Sequence, residues 1–293
     1  MEKLTLKAYA KINLHLDAIS KESNGYHKVV TVMQTVSLYD DVTLSLRGDG
    51  LICIKCDIPT LPCDSRNLAF KAARLFFEHT GIDSGVDIEI IKRIPMAAGL
   101  AGGSSDAAAV LSGLNSLCGY PLETSELCEL GAKLGADVPF CIVGGTKYAD
   151  RYGDKLHSFL KMPDCAIVVA CAGEGVSTPF AYAELDREYG NFADGVYQPH
   201  SLDALSSAIE RAEVRGIGEN IFNIFESVVC PSRPMVNKIK GILKEKGAFG
   251  AMMSGSGPSV FGIFPSEESA RVAMEALVEE GLPSFLCAPV EIE

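Results

Sequence analysis

A glycine-rich segment at residues 95–111, PMAAGLAGGSSDAAAVL, joins a predicted strand to a predicted helix. Residues 86–90 alternate between apolar and acidic side chains, which predicts a strand. Apolar residues recur at helical spacing over residues 107–118, and Gly119 and Pro121 end the predicted helix. Glycines let an anion approach the backbone closely, and N–H groups at a helix start can bind it. The segment is therefore either a phosphate-binding loop or a closely packed start of a helix.

The common phosphate and nucleophile motifs do not match this segment. A P-loop requires a lysine that is absent here, and the dinucleotide-binding motif requires a glycine spacing that Gly99, Gly102 and Gly103 do not give. A nucleophile elbow requires a glycine where Asp106 stands. A second segment, MSGSGP at residues 253–258, lies between two predicted strands and is either a hairpin turn or a second phosphate contact. Two such segments in one chain favour a polyphosphate that is held from two sides.

The order of the predicted elements indicates an α+β protein of two domains. Strands are predicted at residues 4–16, 29–38, 41–46, 86–90, 138–149, 165–173, 249–253, 259–264 and 285–292. Helices are predicted at residues 66–80, 107–118, 124–134, 180–188, 202–212, 236–246 and 266–280. The first half is rich in strands and the second half is mixed, so we expect one domain at residues 1–160 and another at 161–293.

Composition excludes several classes of protein. The net charge is −12 and no run of Lys and Arg occurs, which argues against a nucleic-acid partner, although the pair Lys92–Arg93 could bind a small anion. No apolar run approaches the ~18 residues that span a bilayer. The ten cysteines show no metal or disulfide pattern, because Cys53 and Cys56 lack a second pair of ligands, and this favours the cytoplasm.

Three stretches together resemble the GHMP family of small-molecule kinases. PMAAGLAGGSS resembles the central motif of that family, in which Pro95, Gly99, Leu100, Ser104 and Ser105 are the signature positions. AKINL at residues 10–14 resembles the first motif, and GAMMSGSGPSVF at residues 250–261 resembles the third. The resemblance implies a β-rich N-terminal domain, a ferredoxin-like C-terminal α/β sandwich and an active site in the cleft between them.

Two further stretches narrow the resemblance to one branch of the family. NGYH at residues 24–27 and GADVPF at residues 135–140 resemble a kinase that phosphorylates the 2-hydroxyl of a methylerythritol joined to cytidine diphosphate, in the non-mevalonate route to isoprenoid precursors. This implies ATP as phosphate donor, with Mg²⁺ held mainly by the nucleotide and no metal ligands from the protein. It also implies a small-molecule substrate and a monomer or homodimer. The implied ATP-binding residues are Pro95, Met96, Ala97, Ala98, Gly99, Leu100, Ala101, Gly102, Gly103, Ser104 and Ser105.

The same resemblance implies a catalytic pair, Lys11 and Asp137. A substrate hydroxyl must lose its proton while it attacks the γ-phosphate, so a carboxylate acts as base and a cation stabilises the developing charge. The residues alone favour an exposed strand lysine for Lys11 and an aspartate at a helix end or turn for Asp137, and the resemblance reverses this. Direct in-line transfer is expected, since no serine or histidine nucleophile has an evident adjacent base.

The implied substrate-binding residues are Asn13, Tyr26, His27 and Tyr182. Asn13 would orient the substrate near Lys11. Aromatic rings can stack on a base and an imidazole can form a hydrogen bond with its edge, so Tyr26, His27 and Tyr182 are assigned to the cytidine side, with Phe180 as the alternative to Tyr182. His15 follows Lys11 on the same predicted strand and could border the pocket.

Alanine stands at three positions of the central motif where many family members carry glycine: Ala97, Ala98 and Ala101. Alanine is tolerated at such positions where φ is negative. It is strained where the loop requires a positive φ.

Overall fold

The computed structural model describes residues 3–192 and 197–292. The chain divides into two compact units that are interleaved in sequence. Unit 1 comprises Met1–Ala10, Leu38–Met96 and Ala101–Gly144, and unit 2 comprises Lys11–Ser37, Ala97–Leu100 and Gly145–Glu293. The expected division into residues 1–160 and 161–293 stays a prediction.

The described strands and helices follow one another in short groups along the chain, which begins with three strands. The strands are β1 (Lys3–Lys21), β2 (His27–Arg47), β3 (Ile52–Cys56), β4 (Gly85–Ile91), β5 (Thr146–Asp150), β6 (Lys155–Ser158), β7 (Ala166–Ala170), β8 (Phe222–Asn223), β9 (Gly250–Met253), β10 (Val260–Phe264) and β11 (Ser284–Cys287). The helices are α1 (Leu68–Thr80), α2 (Gly102–Leu117), α3 (Thr124–Ala132), α4 (Val138–Val143), α5 (Thr178–Glu188), α6 (Asp203–Glu210), α7 (Val214–Glu219), α8 (Glu226–Val229), α9 (Pro234–Glu245) and α10 (Glu267–Glu279).

Unit 1 packs a sheet against helices. The second part of β2 pairs antiparallel with β4, and β4 pairs parallel with β3. Alternate residues of β4 are buried against α1 and α2, as the apolar and acidic alternation predicts. Helix α1 begins after Asn67, whose side chain accepts a hydrogen bond from the N–H of Ala69, and ends at Gly81 in the left-handed conformation. These contacts give unit 1 its own apolar core.

Unit 2 contains an antiparallel four-stranded sheet in the order β11-β7-β10-β9. Helices α9 and α10 bury Val236, Ile239 and Leu243 and Ala270, Ala273 and Leu277 in the same apolar core as this sheet. The first part of β2 pairs with β5, β5 pairs with β6, and β1 pairs parallel with β8. The expected α+β class is therefore confirmed.

One stretch folds differently from the prediction. Residues 138–149 were expected to be a strand, but Val138–Val143 form α4 and only the later part forms β5. The β-branched and aromatic residues suggested a strand, whereas Pro139 is compatible with a first helical turn. Val138 and Phe140 are buried, and Gly131 of α3 allows the side chain of Val138 to approach closely. Tertiary packing thus overrides the local preference.

Two smaller differences concern β2 and the helices α7 and α8. The predicted strands at 29–38 and 41–46 form the single strand β2. This continuity is possible because Asp40, the polar break in the pattern, is fully buried and accepts hydrogen bonds from the N–H groups of Arg93 and Ile94. Helices α7 and α8 lie between the predicted helices at 202–212 and 236–246, where no helix was predicted. Residues 193–196 lie outside the described residues.

In the described part of the chain, none of the helices combines the length and the apolar character that crossing a membrane requires.

Candidate active site

The first part of the glycine-rich segment, residues 97–100, packs against the second glycine–serine loop in unit 2. The hydroxyl of Ser254 donates to the carbonyl of Gly99 at 2.9 Å, and the N–H of Ser259 donates to the carbonyl of Ala98 at 3.2 Å. Gly99 has a φ of +78°, and a Cβ there would lie 2.1 Å from the carbonyl oxygen of Ser254. Only glycine fits this position, because the conformation and the close approach both exclude a side chain.

The first motif is joined to both loops through Lys11 and Asn13. The N–H of Lys11 donates to the carbonyl of Leu100 at 3.1 Å. The amide oxygen of Asn13 accepts from Lys11 Nζ at 2.8 Å and from the N–H of Gly255 at 3.0 Å, and its Nδ2 donates to Thr31 Oγ1 at 2.9 Å. Lys11 and Asn13 are buried, so Lys11 is not an exposed strand lysine. Parts of all three motifs, residues 11–13, 97–100 and 254–255, thus meet within unit 2.

The second part of the segment begins helix α2 in unit 1. No side-chain hydrogen bond caps the start of α2 within the described residues, and its first turn contains no acidic residue. Ser105 is buried and its hydroxyl donates to the carbonyl of Tyr9, whereas Gly103 is exposed and Ser104 is half-buried. The first N–H groups of a helix have no partner inside it, so this start is suited to an external anion.

Two alanines of the segment adopt positive φ angles. Ala97 has a φ of +51° and Ala101 a φ of +59°, while Ala98 does not have a positive φ. A residue with a Cβ is strained in this conformation by about 1–2 kcal/mol. The departure from glycine seen in the sequence is therefore costly at two of the three positions.

A buried ion cluster lies beneath the start of α2. Lys92 Nζ donates to Asp40 and, at 2.8 Å, to Asp106, and all three side chains are at most 5% exposed. Burial raises the pKa of Asp106 to about 7, because Lys92 lowers it only in part and the neighbouring Asp40 raises it further. Lys92 is therefore not available to a small anion as the sequence suggested, whereas the exposed Arg93 pairs with Asp41 at 2.6 Å.

Asp137 lies directly before α4 in unit 1. It occupies the N-cap position with a φ of −80°, and its side chain is half-buried and makes no capping hydrogen bond within the described residues. Asp137 thus lies at a helix end, as one interpretation of the sequence has it, but its side chain does not cap this helix within the described residues. Lys11 belongs to unit 2, so the pairing of these two residues stays a prediction.

The residues assigned to the cytidine side lie in unit 2. The ring of His27 stacks on Tyr182 with centroids 4.6 Å apart at an interplanar angle of 18°, and Phe192 meets it edge-on at 5.4 Å. His27 Nε2 lies 2.7 Å from Oδ1 of Asp186. The structure brings His27 and Tyr182 together, and it adds Asp186 and Phe192, which no sequence motif indicated.

Tyr26 and Phe180 present large exposed rings. Tyr26 is 66% exposed and its ring lies 5.4 Å from that of Tyr152, whereas Phe180 is 49% exposed. Tyr26 therefore contributes little to the apolar core. Of the two alternatives for a second stacking residue, Tyr182 is the one whose ring contacts His27.

His15 is a core histidine. It is fully buried, with Phe222 and His200 at ring-centroid distances of 5.5 and 5.7 Å. Burial, with a smaller effect of the nearby His200, lowers the pKa of His15 to about 4, so the imidazole is neutral at pH 7. This environment does not suit a residue at the border of a wet pocket.

Two protein-family models match the chain. The model for the GHMP kinases N terminal domain matches residues 67–145, and the model for the GHMP kinases C terminal domain matches residues 205–282. The α+β architecture and the three converging motifs agree with these matches. The chain belongs to the GHMP kinase family, which confirms the resemblance found in the sequence.

Proteins similar in sequence to this chain share one name within that family. A protein of Acetivibrio thermocellus named 4-diphosphocytidyl-2-C-methyl-D-erythritol kinase is 44% identical, with 94% of this chain and 95% of the relative covered. A protein of Caldicellulosiruptor saccharolyticus with the same name is 43% identical, with 94% and 92% covered. The crystal structure of a 4-(cytidine 5'-diphospho)-2C-methyl-D-erythritol kinase matches with a TM-score of 0.82 at 32% identity and covers 98% of this chain and 99% of that chain. The predicted enzyme class and two-domain fold are confirmed.

Proposed function

We propose that this chain transfers the γ-phosphate of ATP to the 2-hydroxyl of 4-diphosphocytidyl-2-C-methyl-D-erythritol, a step in non-mevalonate isoprenoid precursor synthesis. The names of relatives at 43–44% identity over nearly the full length support the substrate. The observation that carries kinase chemistry is the set of hydrogen bonds that joins Lys11, Gly99 and Gly255 within unit 2. A cytoplasmic location and a monomeric or homodimeric state stay predictions.

In this proposal the ATP phosphates are bound by the glycine-rich segment at residues 95–105. The close approach of Gly99 to Ser254 fixes the path of the backbone, and the uncapped start of α2 supplies N–H groups for an anion. The Ser104 side chain is half-buried and could also donate to phosphate. Mg²⁺, held mainly by the phosphates, would neutralise part of their charge.

Asp137 is proposed as the base and Lys11 as the cation of the reaction. The carboxylate accepts the proton of the attacking 2-hydroxyl, and the ammonium stabilises the charge that develops during transfer. The hydrogen bond from Lys11 to Asn13 supports a precise position of the ammonium.

The contacts of Asn13 support a more specific role than orientation of the substrate. Its amide oxygen already accepts two hydrogen bonds and its Nδ2 donates one, to Thr31. One N–H of the amide remains for a ligand, because a carboxamide has two donor hydrogens. Asn13 therefore holds Lys11 and the Gly255 loop in place and can give at most one hydrogen bond to the substrate.

Tyr26, His27 and Tyr182 are proposed to bind the cytidine. The exposed ring of Tyr26 offers a stacking surface, and the stacked pair of His27 and Tyr182 combines an apolar face with a hydrogen-bonding edge. The base would stack on an aromatic ring while its edge meets the imidazole.

A substrate panel tests the proposed reaction. The purified protein is incubated with ATP, Mg²⁺ and one acceptor at a time: 4-diphosphocytidyl-2-C-methyl-D-erythritol, homoserine, mevalonate or galactose. We expect ADP release to be fastest by at least about a hundredfold in kcat/KM with the first acceptor, because several contacts to the cytidine are then used. ³¹P NMR should place the new phosphate on the 2-hydroxyl. Faster turnover of another acceptor, or no turnover of any, would reject the proposal.

Asp137→Asn tests the base. The variant should bind ATP as the wild type does and lose at least about a hundredfold in kcat, because the amide cannot accept the proton. ATP binding is measured by calorimetry and kcat by coupled ADP release. Turnover within about tenfold of the wild type, which corresponds to about 1.4 kcal/mol of barrier, contradicts the assignment.

A further inference from the structure

Three side chains form a hydrogen-bonded relay in unit 2 that no motif of the sequence indicates. Asp186 on α5 accepts from Lys21 Nζ through Oδ2 at 2.6 Å, and its Oδ1 lies 2.7 Å from Nε2 of His27. The side chains of His27, Asp186 and Lys21 are 4%, 17% and 29% exposed. The relay therefore becomes less exposed from Lys21 towards the imidazole.

The chemistry of this relay determines where the proton of the neutral imidazole lies. Burial raises the pKa of Asp186, but hydrogen bonds from Lys21 and His27 lower it more, so it lies below its ordinary value. The group is an ionised carboxylate at neutral pH and can only accept hydrogen bonds. His27 Nε2 must then carry a hydrogen, and in the neutral ring Nδ1 is left as an acceptor.

The ring of His27 is also fixed in orientation. Tyr182 stacks on it and Phe192 meets it edge-on. Asp186 is the hydrogen-bond partner of the ring among residues 3–192 and 197–292. A fixed ring with one determined tautomer presents a defined acceptor to a ligand.

We propose that Asp186 is a positioning residue that holds His27 as the Nε2–H tautomer and thereby makes the site selective for a pyrimidine with an exocyclic amine. This rests on the proposed function, in which His27 meets the edge of the base. Cytosine has an amino group at position 4 that donates, whereas uracil has a carbonyl oxygen there that accepts. An acceptor Nδ1 facing position 4 therefore binds cytosine and opposes uracil.

Asp186→Asn tests the tautomer because Lys21 restricts how the new amide can lie. Lys21 is a pure donor, so its hydrogen bond to the new side chain can use only the oxygen of the amide. The NH₂ group of the amide must then face His27, and Nε2 must accept. The hydrogen of the neutral imidazole moves to Nδ1 in this variant.

The double variant Asp186→Asn with Lys21→Met is the matched rescue. Without the ammonium, the amide can turn its oxygen to His27, and the Nε2–H tautomer can return. Lys21→Met alone should keep the wild-type tautomer, because Asp186 still accepts. Ring ¹⁵N and ¹³C shifts of His27, measured without substrate above pH 7.5, distinguish the tautomers. We expect Nε2–H in the wild type, Nδ1–H in the single Asn variant and Nε2–H in the double variant.

Steady-state kinetics then test the effect on selectivity. In Asp186→Asn the KM for the cytidine substrate should rise about tenfold or more, while the KM for ATP and kcat at saturation change by less than about twofold. The preference over the uridine analogue should fall by at least about tenfold and return in the double variant.

Each outcome has one meaning. An Nδ1–H tautomer in the wild type, or no change of tautomer in Asp186→Asn, overturns the assignment of Asp186. Tautomers as expected with an unchanged preference for cytidine overturn the selectivity claim. If the wild type uses neither nucleotide substrate, the proposed function fails. The NMR measurement still tests the effect of Asp186 on the tautomer of His27, because it needs no turnover.

Discussion

Replacing Gly99 with alanine should separate the phosphate-loop interpretation from simple helix packing. The new Cβ would lie 2.1 Å from the carbonyl oxygen of Ser254, where ordinary contact begins at 3.4 Å, and the neighbour is backbone. The left-handed φ of +78° adds strain of about 1–2 kcal/mol. Displacement of the Ser254 loop adds a further 1–3 kcal/mol, roughly the cost of overpacking. We expect Gly99→Ala to lower the free energy of unfolding by about 2–5 kcal/mol.

Gly103→Ala is the matched control for Gly99→Ala. Gly103 lies in the first turn of α2 without a positive φ, and its Cβ would meet only Leu68 at 3.6 Å. It should be neutral or stabilise by about 0.5–1 kcal/mol, because alanine favours helix. Urea unfolding gives the stabilities, which should fall only for Gly99→Ala, and calorimetry gives the ATP affinity of Gly99→Ala, which should fall with its stability. Equal stability of the two variants, within about 0.5 kcal/mol, would refute the argument from close approach.

Three further predictions concern strain, buried charge and stacking. Ala101→Gly should raise the free energy of unfolding by about 1 kcal/mol by relieving the φ of +59°, and a loss of stability in urea would contradict this. The pKa of Asp106, raised to about 7, means that the folded state keeps a proton that the unfolded state has released above about pH 4. Stability should therefore fall as pH rises from about 4 to 7, by at most about 1.4 kcal/mol per pH unit, and Asp106→Asn should flatten this slope in urea unfolding. Tyr26→Ala should raise KM for the cytidine substrate by about tenfold, because the ring no longer stacks on the base. Stability and KM for ATP should change little, because the ring is 66% exposed. An unchanged KM for the cytidine substrate would contradict the assignment of Tyr26 to the site.

Several features were determined by the sequence because their causes are local. Helix α1 has an N-cap residue, Asn67, directly before it and a glycine, Gly81, directly after it, so the sequence indicates where the helix begins and ends. The alternation of apolar and acidic residues in β4 likewise predicts which face of the strand is buried. The glycine–serine segments predicted a loop before α2 and a turn between β9 and β10, because close backbone approach depends on small residues in a short stretch.

Other features were decided only by tertiary structure. Val138–Val143 form a helix because their burial, rather than their strand preference, determines the fold. The side chain of Lys92 is buried and forms ion pairs with two carboxylates in the folded chain, so it is not available to bind a ligand. Asp186 reaches His27 across 159 residues of sequence. Contacts of this kind depend on which chain segments meet, and a residue's own neighbours in sequence carry no signal of them.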